Sequence, residues 1–371
     1  MPLPEVRLNE DFAASAARFE RWWTCAPTDR PVIAVDVQLQ RPVSRPEKSH
    51  ASLVERWTDV DWQLEFRRDV LRAKPWIADA LPVMMPNLGP ALLCVLFGAE
   101  LTFDEGTSWA DACIDDPDTQ YAALTAKDFC WDHPLWQAME AMTRRAVELA
   151  GDEFLPGITD LHGAYDTAAG LRHCEELCVD LLECPEVVQP LAMRAAEAFN
   201  QAFERLYAIV RAAGFGSTSW IPFYHDGPAY ISNCDFWCLV SGDMADQYIV
   251  PTTRHELQVQ DRSIYHLDGP DALRHLDRVL AEPGVQAVQW VYGAGNGPAT
   301  RWLETFRKIL DAGKGIFFMA AEPWEILEAA PALGSRGVIY QLWDTLESVD
   351  TAREFVAEVA RRAGSSAGVE V

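Results

Sequence analysis

Residues 263–293 read SIYHLDGPDALRHLDRVLAEPGVQAVQWVYG, and this stretch decides the fold. An apolar run of strand length (263–269) ends on Gly269-Pro270. Apolar residues at helical spacing follow, and a second strand-length run, AVQWVYG (287–293), completes the unit. Pro270 opens the helix, because the first turn needs no N–H from it and its fixed φ is already helical. Two strands separated by a helix of this length are joined in parallel.

Working outward, the alternation recurs along the whole chain. The further strand-length runs are VIAVDVQL (32–39), LPVMMPN (81–87), FLPGITDLHG (154–163), TSWIPFYH (218–225), GIFFMAA (315–321) and VIYQLWD (338–344). With the two strands of the opening unit they make eight, which predicts a (β/α)8 TIM barrel of the α/β class covering 1–371 as a single domain. The helices between are well signalled, as in PEVVQPLAMRAAEAFNQAFERLYAIVRAAG, which starts on Pro185 and stops at Gly214. An insertion at 88–134 contains FGAELTFDEGTSWADACIDDPD, whose turn residues predict a β-hairpin. As an inserted loop it is expected over the carboxyl face of the barrel. The tail at 364–371 is expected to fray.

Acidic residues exceed basic ones by 56 to 31, a formal charge of −25, so the long-range field repels nucleic acid and anionic membrane surfaces. The nine cysteines are odd in number and scattered through strands and helices, which fits a reducing cytoplasm. No signal peptide and no membrane span are expected.

In a barrel strand, residues two apart share a side, and the carboxyl ends of the strands face the catalytic mouth. His266 and Asp268 satisfy both conditions. Asp160 and His162 repeat the spacing after the third strand, Asp36 ends the first, and His225 ends the fourth. Gln289 and Trp290 end the sixth strand, and Gln341 and Trp343 end the eighth. We therefore expect His266, Asp268, Asp160 and Asp36 as catalytic groups, and His266, Asp268 and His162 as ligands of zinc or another divalent metal. Trp290, Gln289, Trp343, Gln341, His225 and Trp109 are expected to bind substrate, the indoles by stacking. For His225 and Asp235 structural hydrogen bonding is the slightly favoured reading.

Tyr265-His266-Leu267-Asp268-Gly269-Pro270 resembles the His-x-Cys/Asp-Gly segment of the uroporphyrinogen decarboxylase-like superfamily, which includes corrinoid-dependent methyltransferases. GITDLHGAYDTAAGLRHCEELCVDLLECPEVV (157–188), NCDFWCLVSGDMADQYIVP (233–251) and NLGPALLCVLFGAE (87–100) are similar to further blocks of that superfamily, in the same order. The resemblance implies the barrel, a small-molecule substrate, a corrinoid-carrying partner protein, a homodimer and no nucleotide cofactor.

Two departures narrow what it implies. Thiol-directed methyltransferases of the superfamily hold zinc with His-x-Cys and a distant second Cys, whereas Asp268 stands here in place of the first thiolate. No cysteine falls on strands six to eight, so the donor set becomes nitrogen and oxygen. The decarboxylase receives its substrate's carboxylates on an arginine-rich segment, yet DRPVIAVDVQLQRP carries only Arg30 and Arg41 around the first strand. Uroporphyrinogen is therefore not the expected substrate. Three functions remain open: metal-assisted methyl transfer, a cofactor-independent decarboxylase or other lyase using Asp36 or Asp268, and a ligand-binding barrel without turnover.

Overall fold

The computed structural model describes residues 2–364, so the expected frayed tail beyond Gly364 lies outside the described residues. Ten strands follow the chain: β1 (Val32–Val37), β2 (Val83–Met84), β3 (Leu101–Phe103), β4 (Ser108–Ala110), β5 (Leu155–Pro156), β6 (Ala229–Asn233), β7 (Arg262–Asp268), β8 (Ala287–Val291), β9 (Gly315–Ala320) and β10 (Val338–Leu346). A six-stranded parallel sheet runs in the order β1-β10-β9-β8-β7-β6, and β2 pairs with β5, also in parallel. Parallel strands in consecutive order, with helices between them, are the architecture that the opening stretch predicts.

The structure corrects the expectation in two places. The segment 218–225 is not a strand. It folds back on itself, with Ser217 N donating to His225 O (2.7 Å) and His225 N to Ser217 O (3.1 Å). Pro222 interrupts it, and the fourth parallel strand is instead β6, a short buried run whose Ser232 and Asn233 hide its strand character.

The second correction concerns closure, because the strand ladder is open between β1 and β2 and between β5 and β6. Side chains span both joints. At the first, Asp79 N donates to Ile33 O (3.2 Å) while Ile33 N donates to Asp79 Oδ2 (2.8 Å). Asp79 is fully buried, and Arg18 (3.1 Å) and Arg30 neutralise it. At the second, the Tyr230 hydroxyl donates to Thr159 O (2.5 Å) and accepts from Leu161 N (2.7 Å), and Ile158 N donates to Thr218 O (3.0 Å). Buried backbone groups left out of a ladder must find such partners.

The amino end of the sheet is covered by the helix Phe12–Trp23, which buries Phe12, Phe19, Trp22 and Trp23. Trp22 Nε1 donates to Ile316 O (3.3 Å) near the start of β9, and Trp23 Nε1 to Tyr224 O (3.0 Å). The predicted hairpin is present as β3 and β4, antiparallel, with Leu101 opposite Ala110. It follows the wholly buried turn Leu92–Phe97. The long helix Pro185–Ala212 begins on its predicted proline. Among the described residues, no helix is long and apolar enough to cross a membrane.

Removing the Asp79 carboxylate would leave Arg30 without its carboxylate partner, while Arg18 keeps Asp29, and would open the β1 joint. Asp79→Ala is expected to cost about 3–5 kcal/mol in urea unfolding, while Leu182→Ala, at a side chain 73% exposed, stays near the parent. An Asp79→Ala midpoint equal to that of the parent would show that the joint needs no carboxylate.

Candidate functional site

The alternation of β7 sorts its side chains as the sequence predicts. Tyr265 and Leu267 are buried on the outer face, whereas His266 and Asp268 are half-buried on the inner one. In register, His266 lies between Asn233 of β6 and Gln289 of β8. Gln289 Oε1 is 2.6 Å from His266 Nδ1, and its amide nitrogen points to Met319 Sδ (3.1 Å). That arrangement makes Nδ1 the donor and leaves the Nε2 lone pair free for a ligand. Trp220 presents an edge contact to the imidazole at 5.1 Å. Gly269, at φ +80°, ends the strand directly after Asp268, a backbone conformation that suits glycine.

Asp235 starts the short 3₁₀ turn Asp235–Leu239 after β6, and its carboxylate approaches the pair. One donor atom from each of Asp235, His266 and Asp268 lies within 4.8 Å of the other two. The same holds for His162, Asp166 and Asp235. His162 sits 3.4 Å from Asp160 Oδ2 and 3.8 Å from Asp166 Oδ2. Asp166 lies in the first turn of the helix Ala164–Arg172 and accepts from Asp235 N (3.0 Å) and Phe236 N (2.8 Å), which ties the loop after β5 to the loop after β6. Behind it, Gly163 N donates to Asn233 Oδ1 (2.9 Å) and Ala164 N to Glu256 Oε1 (2.8 Å). A side chain at Gly163 would meet Asn233 O at 2.4 Å, so only glycine fits this crossing.

Four carboxylates (Asp160, Asp166, Asp235 and Asp268) therefore face two imidazoles. Among the described residues, no lysine or arginine pairs with any of the four. Burial and the neighbouring Asp235 charge hold the Asp166 carboxyl above the usual carboxylate range, against the pull of His162. Asp268 is raised by burial as well, with His266 opposing and Asp235 reinforcing the shift. Burial alone would lower His162, but the hydrogen bond and charge of Asp160, with Asp166 and Asp235, outweigh it and carry the imidazole to about 9. Burial pushes Glu256 up to about 8, although the Ala164 N–H stabilises its charge.

The other expected residues fall elsewhere. Asp36, Gln341 and Trp343 line a cavity of about 330 Å³ together with Lys74, Trp76 and Trp220. Lys74 pairs with Asp36 there, and Gln341 Oε1 and Trp220 Nε1 are buried without a partner. Trp290 points outward and packs on Trp302 at 5.3 Å, since alternation along β8 allows only one of the Gln289-Trp290 pair to face in. His225 lies away from the rim, 2.7 Å from Glu20 on the helix that covers the amino end of the sheet. Trp109 is exposed on the hairpin. The three expected metal ligands do not form one group: His162 falls in one triad, His266 and Asp268 in the other, and Asp235 belongs to both. Sequence reasoning missed Asp166 and Glu256, and read Asp235 as structural although it belongs to both triads. Asp166 carried a usable signal, four residues after His162 and hence on one face of a helical turn.

No family model and no curated protein matches the sequence. Solved structures do. A methyltransferase from Methanosarcina mazei superposes with a TM-score of 0.59 at 12% identity, covering 94% of this chain and 98% of its own. A B12-independent methionine synthase from Shewanella sp. W3-18-1, in complex with selenomethionine, reaches 0.43 at 8% identity over 90% and 95%, too distant a likeness to argue from. The first likeness is one of fold.

Glu256 supplies a pH test. Its raised pKa favours the protonated carboxyl in the folded state, so its contribution to stability is fully present below 4.5 and is lost as the pH rises towards 8. In chelator-treated protein, Glu256→Gln is expected to match the parent near the low end of that window and to unfold at higher urea than the parent near the top. An unchanged difference across the window would show Glu256 to be ionised throughout.

Proposed function

We propose that this chain is an enzyme of methyl transfer in which Asp235, His266 and Asp268 hold a divalent cation. In this reading a methyl group passes between a small molecule and a corrinoid carried by a separate protein. The supporting observation is the triad itself, at the carboxyl ends of β6 and β7 where barrel enzymes keep their chemistry. Its donors are one imidazole nitrogen and two carboxylate oxygens, a set that suits zinc or a harder divalent ion. Gln289 fixes the ring of His266 from behind, as the outer partner of a metal-bound histidine does. Among the described residues, no lysine or arginine pairs with Asp235 or Asp268. A divalent ion held there supplies Lewis acidity, which lowers the pKa of a thiol, hydroxyl or water bound to it.

The chain's own residues hold the substrate. The 330 Å³ cavity offers the faces of Trp76 and Trp343, with Trp220 shared between the cavity and His266. Its two unpaired groups, Trp220 N–H and Gln341 Oε1, select a molecule that has both an acceptor and a donor. We place the insertion 88–134, with Trp109, as the outer roof of a single-domain, cytoplasmic, homodimeric enzyme. The Asp36–Lys74 pair in the same cavity favours a second reading, a lyase that anchors a substrate carboxylate on Lys74.

His266→Ala and Asp268→Asn are each expected to remove bound zinc and abolish demethylation of methylcobalamin, with little change in melting temperature. Gln289→Ala is expected to weaken metal binding by roughly 10–100-fold. Metal analysis with the corrinoid's visible spectrum measures both. Full turnover by metal-free protein would overturn the proposal and move the chemistry to Asp36.

A further inference from the structure

We propose that the rim holds two divalent cations side by side, with the Asp235 carboxylate bridging them. This rests on the first ion proposed above and adds a second, held by His162 and Asp166. The geometry points to a pair because two complete donor sets of three share a single residue, and each set closes to within 4.8 Å. The five side chains come from three successive segments of the barrel: the loop after β5, the start of the turn after β6, and the end of β7.

The second set is built rather than accidental. Gly163 and Ala164 are pinned to Asn233 and Glu256, and Asp166 is pinned to the backbone of Asp235 and Phe236. His162 and Asp166 are thus fixed relative to Asp235 by the fold itself. Each Asp166 oxygen accepts one N–H and keeps a second lone pair. Beside His162, Asp160 Oδ1 is buried with no hydrogen-bond partner, an acceptor left for the ion or its ligands.

Charge separates one ion from two. Ligation requires both imidazoles to be neutral. Among the described residues no lysine or arginine pairs with Asp160, Asp166, Asp235 or Asp268, and once metal binding ionises all four carboxylates, two divalent ions match their charge where one leaves half of it. Paired ions at roughly 3.5–4 Å grip two atoms of one substrate at once. The site therefore suits a small acceptor or donor whose ionised heteroatom lies between them.

The test loads the full chain with zinc or manganese after chelator treatment and counts ions per chain by mass spectrometry. Manganese-loaded protein is also examined by electron paramagnetic resonance. The pair predicts two ions per chain, an exchange-coupled manganese spectrum, and one ion with an uncoupled spectrum in both His162→Ala and Asp166→Asn. One ion in the parent, or two ions without coupling, would overturn the pair and leave the single site standing. No bound ion would overturn both readings. Because the parent protein alone gives these outcomes, a variant that fails to fold does not remove the test.

Discussion

The structure around the candidate site depends on carboxylates held close together, with the Asp166 side chain buried, Asp160 and Asp268 partly buried and Asp235 exposed. Asp166 and Asp268 are both raised by burial and by the Asp235 charge, with the His162 and His266 imidazoles opposing the shift. Burying like charges without a compensating cation costs several kcal/mol per ion. The fold meets that cost with rigid hydrogen bonds: Asp166 is fastened to two backbone N–H groups, His266 to Gln289, and the Gly163 crossing to Asn233. A cation bound there would relieve the repulsion among these carboxylates, which is the physical ground for the proposed metal site.

The carboxyl ends of the parallel strands carry two regions with different chemistry. On the side of β5, β6 and β7 lies the imidazole and carboxylate cluster, suited to cations. On the side of β1 and β10 lies the indole-lined cavity with its unpaired donor and acceptor, suited to an organic body. Trp220 touches both, through its edge contact with His266 and its place in the cavity wall. The folded-back segment 217–225 delivers Trp220 there. A regular strand in its place would have turned alternate residues to the outside.

This segment also shows where sequence reading works and where it stops. The spacing of His266 and Asp268 was decisive because a strand has a period of two and Gly269-Pro270 fixes its end, so the inward pair could be named in advance. Gln289 and Trp290 were both expected to bind substrate, whereas Gln289 bonds to His266 and Trp290 packs outward on Trp302, because alternation lets only one of two adjacent residues face in. The hairpin was legible from its turn residues. TSWIPFYH, by contrast, has the apolar content of a strand but closes on itself, and periodicity cannot separate a buried turn from a buried strand. Asp235 reads as a structural hydrogen-bonding residue in sequence, and only the register of β6 beside β7 brings it between His162 and His266. Asp79, Tyr230 and Glu256 act across distant parts of the chain, through contacts that no local pattern encodes.

The central claim is that a divalent cation belongs at the end of β7. Crystals of zinc-reloaded protein, measured on either side of the zinc absorption edge, test it most directly. The account predicts an anomalous peak at roughly 2.0–2.2 Å from His266 Nε2 and from carboxylate oxygens of Asp235 and Asp268. A flat anomalous map at that position, with the His266–Gln289 bond intact, would contradict it.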